Sequence, residues 1–83
     1  LPVSSTKSMH GHTLEASGVV ELAVTVLAVR DGVLPLNSGY LGEDEDCALS
    51  LVLDTGRAAD IRYALSMNAA FGGANTALVV ATA

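Results

Sequence analysis

Ser4 to His12 reads SSTKSMHGH, and it sets a lysine and a histidine five positions apart, directly ahead of a long apolar segment. Side by side on a loop that enters a helix, Lys7 and His12 can aim two proton donors at a point where negative charge develops. The helix N-terminus adds partial positive charge there. That arrangement suits an oxyanion or an enolate. Taken alone, a solvated lysine and a histidine that caps the first turn satisfy the same nine residues. Glu21 shifts the balance: it lies inside the most apolar part of the chain, where an unpaired carboxylate is costly and calls for a cation. The available cations are Lys7, Arg30, Arg57 and Arg62. Arg30 is nine positions further along the same helix, too far for a local pair, and Lys7 is the preferred partner.

Three other groupings carry less. His10 and His12 form H-x-H, with Glu15 as a possible third ligand, but two histidines and a glutamate within six residues fit many unrelated loops. No metal is expected. Ser4 and Lys7 match S-x-x-K, a serine-nucleophile motif that also needs a K-T-G strand, and the chain has no K-T-G. Cys47 follows Glu43, Asp44, Glu45 and Asp46, whose charges disfavour a thiolate nucleophile.

The elements that must hold these residues are limited by size. Eighty-three residues make at most one domain, and a chain this short buries little more than about 60% of its unfolded surface. Its composition is 51% hydrophobic but 4% aromatic, so Ala, Val and Leu must fill the core. A net charge of -5 with four basic residues gives no footprint for nucleic acid or an anionic membrane. A single cysteine excludes an internal disulfide and favours a reducing cytoplasm. The N-terminus shows neither a leader pattern nor a starting methionine, which reads as a piece of something longer.

Along the chain, Val3 to Thr6 fits the end of a strand and Lys7 to Gly11 a loop. Thr13 to Arg30 reads as a helix stopped at Asp31-Gly32, with Arg30 favouring the C-terminal dipole. Its apolar residues surround the axis, interrupted only by Glu21 and Thr25, so the helix is expected to be buried on all sides. The run is shorter than the roughly 18 residues of a membrane span, and further protein must cover it. The isolated chain is therefore expected to be oligomeric or poorly folded. Val33 to Pro35 is a short extended piece, Leu36 to Asp46 an exposed loop, Leu49 to Leu53 a short strand, and Asp54-Thr55-Gly56 a turn. Ile61 to Asn68 and Asn75 to Val80 flank AAFGGA, whose Gly72-Gly73 pair predicts a hairpin with its tip near Phe71 to Ala74.

Taken together, S-S-T-K-S-x-x-G-H at Ser4 to His12, Gly18 and Glu21 downstream, and F-G-G-x-N at Phe71 to Asn75 resemble the C-terminal end of β-ketoacyl-acyl carrier protein synthases, condensing enzymes of the thiolase-like superfamily. The resemblance covers about Val3 to Val80. It implies an α/β fold, the C-terminal portion of a five-layer α/β/α/β/α architecture, with residues 1–83 an incomplete segment of a ketosynthase domain. It implies decarboxylative Claisen condensation of an acyl-enzyme thioester with malonyl-acyl carrier protein, in fatty acid or polyketide synthesis. His12 looks like the histidine that stabilises the enolate, Lys7 like the active-site lysine, and Glu21 like its buried glutamate partner. Phe71 looks like the residue whose N–H completes an oxyanion hole and whose ring gates the acyl pocket, with Gly72 and Gly73 beside it on the substrate. No cofactor is implied beyond the carrier's phosphopantetheine thioester. The implied partners are acyl carrier protein, the remainder of the ketosynthase and a second copy of the parent.

The chain also departs from that pattern. Glu15 stands where the family has a small glycine, Ala69-Ala70 replace an aromatic and the glycine before Phe71, and Pro35 is followed by Leu36-Asn37-Ser38 rather than T-x-N. The nucleophilic cysteine and first histidine belong upstream of the matched region, so the chain alone is expected to be inactive. These departures leave room for a rival, a chain-length-factor subunit that shapes a partner's acyl tunnel without catalysis. His12 argues against it, because such a subunit has no enolate to stabilise.

Overall fold

The computed structural model describes residues 1–53 and 57–83; the turn expected at Asp54-Thr55-Gly56 lies outside them. Its elements are a one-turn helix α1 (Lys7–His10), a 3₁₀ turn (Leu14–Ala16), a helix α2 (Ser17–Asp31), and strands β1 (Tyr63–Ala69) and β2 (Asn75–Ala81).

The expected loop after Thr6 is helical instead. The Thr6 carbonyl accepts from the amides of Met9 and His10, and Gly11, at φ 83°, returns its N–H to the Lys7 carbonyl at 2.7 Å. Glycine closes the turn there because the combination of φ 83° and ψ 171° is essentially confined to residues without a side chain. The long helix starts later than Thr13. Leu14 adopts φ 52°, which breaks helical continuity, so three residues form a 3₁₀ turn before Ser17 opens α2. Its C-terminus matches expectation: Gly32 sits in the left-handed region and donates to the Ala28 carbonyl. Arg30 turns to its neighbour Asp31 at 2.8 Å.

The C-terminal hairpin also forms as expected. β1 and β2 pair antiparallel from Tyr63 opposite Ala81 to Ala69 opposite Asn75. At the tip the Ala70 N–H donates to the Ala74 carbonyl, and Gly72 and Gly73 take φ of 88° and 83°. The remaining extended pieces shrink to isolated bridges: Val3 with Leu51, Val33 with Ala58, and Asp44 with Cys47.

α2 packs on the inward face of the hairpin, where Ala64, Ser66 and Asn68 alternate with outward Tyr63, Leu65 and Met67. The expected buried helix is not buried in this chain. Only Ser17 and Val29 of α2 are enclosed, while Val19, Val26 and Leu27 stand exposed. Among the described residues a single two-stranded sheet lies against α2, which leaves Val19, Val26 and Leu27 on its other sides open. Among the described residues Val29 and Val52 are the buried apolar side chains. No helix among them is long and apolar enough to cross a membrane.

At the hairpin tip an added Cβ on Gly72 or Gly73 would meet no atom within 4 Å, so backbone conformation alone sets the cost of replacement. Gly72→Ala and Gly73→Ala should each destabilise the hairpin by about 1 kcal/mol, measurable by urea unfolding of the full-length protein carrying this chain. Equal stability in both variants would show that the tip can relax.

Candidate active site

The site is organised on the Glu21 carboxylate. Lys7, at the start of α1, forms an ion pair with its Oε1 across fourteen residues of sequence. Ser17, one turn earlier on α2, donates its hydroxyl to the same oxygen at 3.2 Å, and the Asn68 side chain on β1 helps to lower the same carboxyl. The Glu21 side chain keeps 15% of its exposure and Lys7 37%. Partial burial pushes the Glu21 carboxyl up, but the Lys7 hydrogen bond and charge, with Ser17 and Asn68, outweigh it and hold the group below its ordinary 4.5. Of the four cations, Lys7 is thus the partner, as the sequence argued. Arg30 pairs with Asp31, and Arg62 lies 3.5 Å from Asp60.

Ser17 and Asn68 were not singled out in the sequence. Ser17 carried a usable signal, since it lies four positions before Glu21 on one helical face. Asn68 carried none, because only the docking of β1 on α2 brings it there. That docking does not depend on Gly18: a Cβ added to it would lie 3.6 Å from the Asn68 side-chain nitrogen, an ordinary van der Waals contact.

His12 is exposed, and its Nδ1 accepts the Leu14 N–H at 3.1 Å. That acceptance puts the proton of the neutral ring on Nε2, so the free edge of His12 is a donor. The left-handed Leu14 backbone and this bond belong together, with strain of about 1 kcal/mol held beside His12. His10 is occupied differently. Its Nδ1 lies 2.8 Å from the Gly11 carbonyl and its Nε2 2.7 Å from the Thr6 hydroxyl, so both ring nitrogens have protein partners.

Lys7 and Glu21 line an open cleft of about 740 Å³ that runs between the N-terminal segment, α2 and β1, past Val24, Leu34 and Tyr63. Neither His12 nor Phe71 lines it. Phe71 stands fully exposed at the hairpin tip between Ala70 and Gly72, and its N–H has no partner among the described residues. The structure therefore joins Lys7 to Glu21 and leaves His12, Phe71, Gly72 and Gly73 outside that cluster. Cys47 is exposed on the acidic loop, bridged to Asp44.

Residues 1–40 match the family described as beta-ketoacyl synthase, C-terminal domain. Relatives extend the match beyond that segment. The tetracenomycin polyketide synthase ketoacyl synthase alpha subunit of Streptomyces glaucescens is 42% identical over 81 residues, 98% of this chain and 19% of its own length. The chain belongs to the β-ketoacyl synthase family.

Other family members repeat the pattern. The 3-oxoacyl-acyl-carrier-protein synthase 2 of Coxiella burnetii is 42% identical over 80 residues, 96% of this chain and 19% of the relative. Nodulation protein E of a Rhizobium species is 38% identical over 78 residues, 94% of this chain and 19% of the relative. The chain thus spans about a fifth of the length of these relatives. Its helix and two antiparallel strands form a small α/β piece, and the family carries the thiolase-like fold.

Because the Glu21 carboxyl is lowered in the folded state, the stabilisation it supplies is complete above the ordinary value and is lost as pH falls through the lower folded value. Screening at the 37%-exposed lysine limits it to about 1 kcal/mol. The acid limb of a pH-stability curve should therefore be steeper for the natural protein than for Glu21→Gln. Superimposable limbs would show that the pair contributes nothing.

Proposed function

We propose that this chain supplies the enolate-stabilising half of a β-ketoacyl-acyl carrier protein synthase active site. In the complete protein an acyl group waits as a thioester on a cysteine outside this chain. A malonyl thioester on acyl carrier protein loses carbon dioxide: the bond from Cα to the carboxylate breaks and its electrons enter the thioester as an enolate. The enolate carbon attacks the acyl thioester, a carbon–carbon bond forms, and the cysteine leaves as thiolate.

The observation that carries this reading is the hydrogen bond on the Nδ1 edge of His12. Its Nδ1 is engaged by the Leu14 N–H, so Nε2–H is offered outward as a hydrogen-bond donor, the form needed at a developing enolate oxygen. The Lys7–Glu21 pair supports it by holding a cation at the other end of the same short segment. Phe71 supplies an N–H to the oxyanion of the acylation step, its ring gates the acyl pocket, and the conformations of Gly72 and Gly73 bring that backbone close to substrate. The protein works in the cytoplasm, as a homodimer, with acyl carrier protein as its partner and without a bound cofactor. The chain alone is inactive, because the nucleophile lies elsewhere.

The test is decarboxylation of malonyl-acyl carrier protein by the full-length protein. His12→Ala should lower its turnover by about 10²–10³-fold while acyl transfer onto the cysteine persists. Undiminished decarboxylation in His12→Ala would sink the assignment.

A further inference from the structure

Asn37 lies beyond the helix, in a stretch whose sequence reads as an exposed loop, yet it makes more long-range hydrogen bonds than any residue of the candidate site. Its Oδ1 accepts the Ser5 N–H at 2.8 Å. Its Nδ2 donates to the Val3 carbonyl at 2.9 Å and to the Val52 carbonyl at 3.0 Å. Its own N–H reaches the Val52 carbonyl at 2.7 Å. The side-chain amide has two donor hydrogens and one acceptor oxygen, and all are used. They close on two segments that the Val3–Leu51 bridge also joins.

Lys7 follows Ser5 by two residues, a reach of roughly 7 Å at full extension. Pinning Val3 and Ser5 therefore fixes where α1 begins and where the lysine leaves the backbone. We propose that Asn37 is a positioning residue that delivers Lys7 to Glu21 by clamping the strand end ahead of it. The proposal rests on the reading of Lys7 as a working residue of the site only in its consequence for turnover, not in its geometry.

The test is the chemical reactivity of Lys7, the single lysine of this chain, in the full-length protein. Trace acetylation with acetic anhydride, read by mass spectrometry and normalised to the protein's other lysines, should be slow at Lys7. It should become several-fold faster in Asn37→Ala and in Asn37→Asp, which keeps the acceptor for Ser5 but gives up both donors. Unchanged labelling in a variant with native circular dichroism would overturn the proposal. Should neither variant fold, amide exchange in the natural protein decides. A Ser5 amide protected relative to Ser4 supports the clamp, and a Ser5 amide exchanging at the free-chain rate overturns it. Turnover of malonyl-acyl carrier protein, measured on the same variants, separates the two claims. Faster labelling with unchanged turnover leaves Asn37 as the clamp and removes Lys7 from the chemistry.

Discussion

A carboxylate on the covered side of an apolar helix must be neutralised, and the neutralisation of Glu21 ties this structure together. Lys7 brings the charge, Ser17 a hydroxyl from one turn earlier, and Asn68 an amide from the hairpin. Three separate stretches of chain thus meet on one side chain. Buried charge pairs are weak sources of net stability, because desolvation offsets much of the attraction. What such a pair does supply is a penalty for every arrangement that leaves the carboxylate bare. The start of α1, the first turns of α2 and the inner face of β1 are therefore held in one relation even though few apolar residues are buried between them.

The same economy of core explains the exposed faces. α2 carries valine and leucine around its whole circumference, but the described residues provide it with one two-stranded sheet. The outward face of the hairpin, with Tyr63, Leu65 and Val79, is equally bare. A segment whose relatives run about five times its length has the surface composition of a domain interior, and its side chains are patterned for layers on both sides.

What could be read from sequence follows from how locally each feature is determined. The end of α2 at Gly32 and the hairpin around Gly72-Gly73 are set by glycine chemistry within a few residues, and both appeared where expected. The Lys7–Glu21 pair was legible because a charge in an apolar run has few possible partners. The short helix at Lys7 escaped notice because a glycine cap and two amides on the Thr6 carbonyl define it, and these leave no hydrophobic periodicity. The delayed start of α2 depends on the backbone of Leu14, which no propensity of leucine suggests. Asn68 and Asn37 were hidden for a different reason: their partners lie far away in sequence, and an asparagine in a strand or after a proline announces neither.

The three contributors to Glu21 also differ in when a growing chain can provide them. Ser17 and Lys7 lie within fourteen residues of the carboxylate, so those contacts close small loops and can form while the rest of the chain is still being made. Asn68 lies forty-seven residues on and waits for the hairpin, which follows α2 in the chain and closes a longer loop. The glutamate can therefore hold its lysine before its contact with β1 is made. The docking of the hairpin on α2 then completes a cluster whose lysine and serine contacts are local, so the longest-range contribution to the site is the last of the three that this stretch can make.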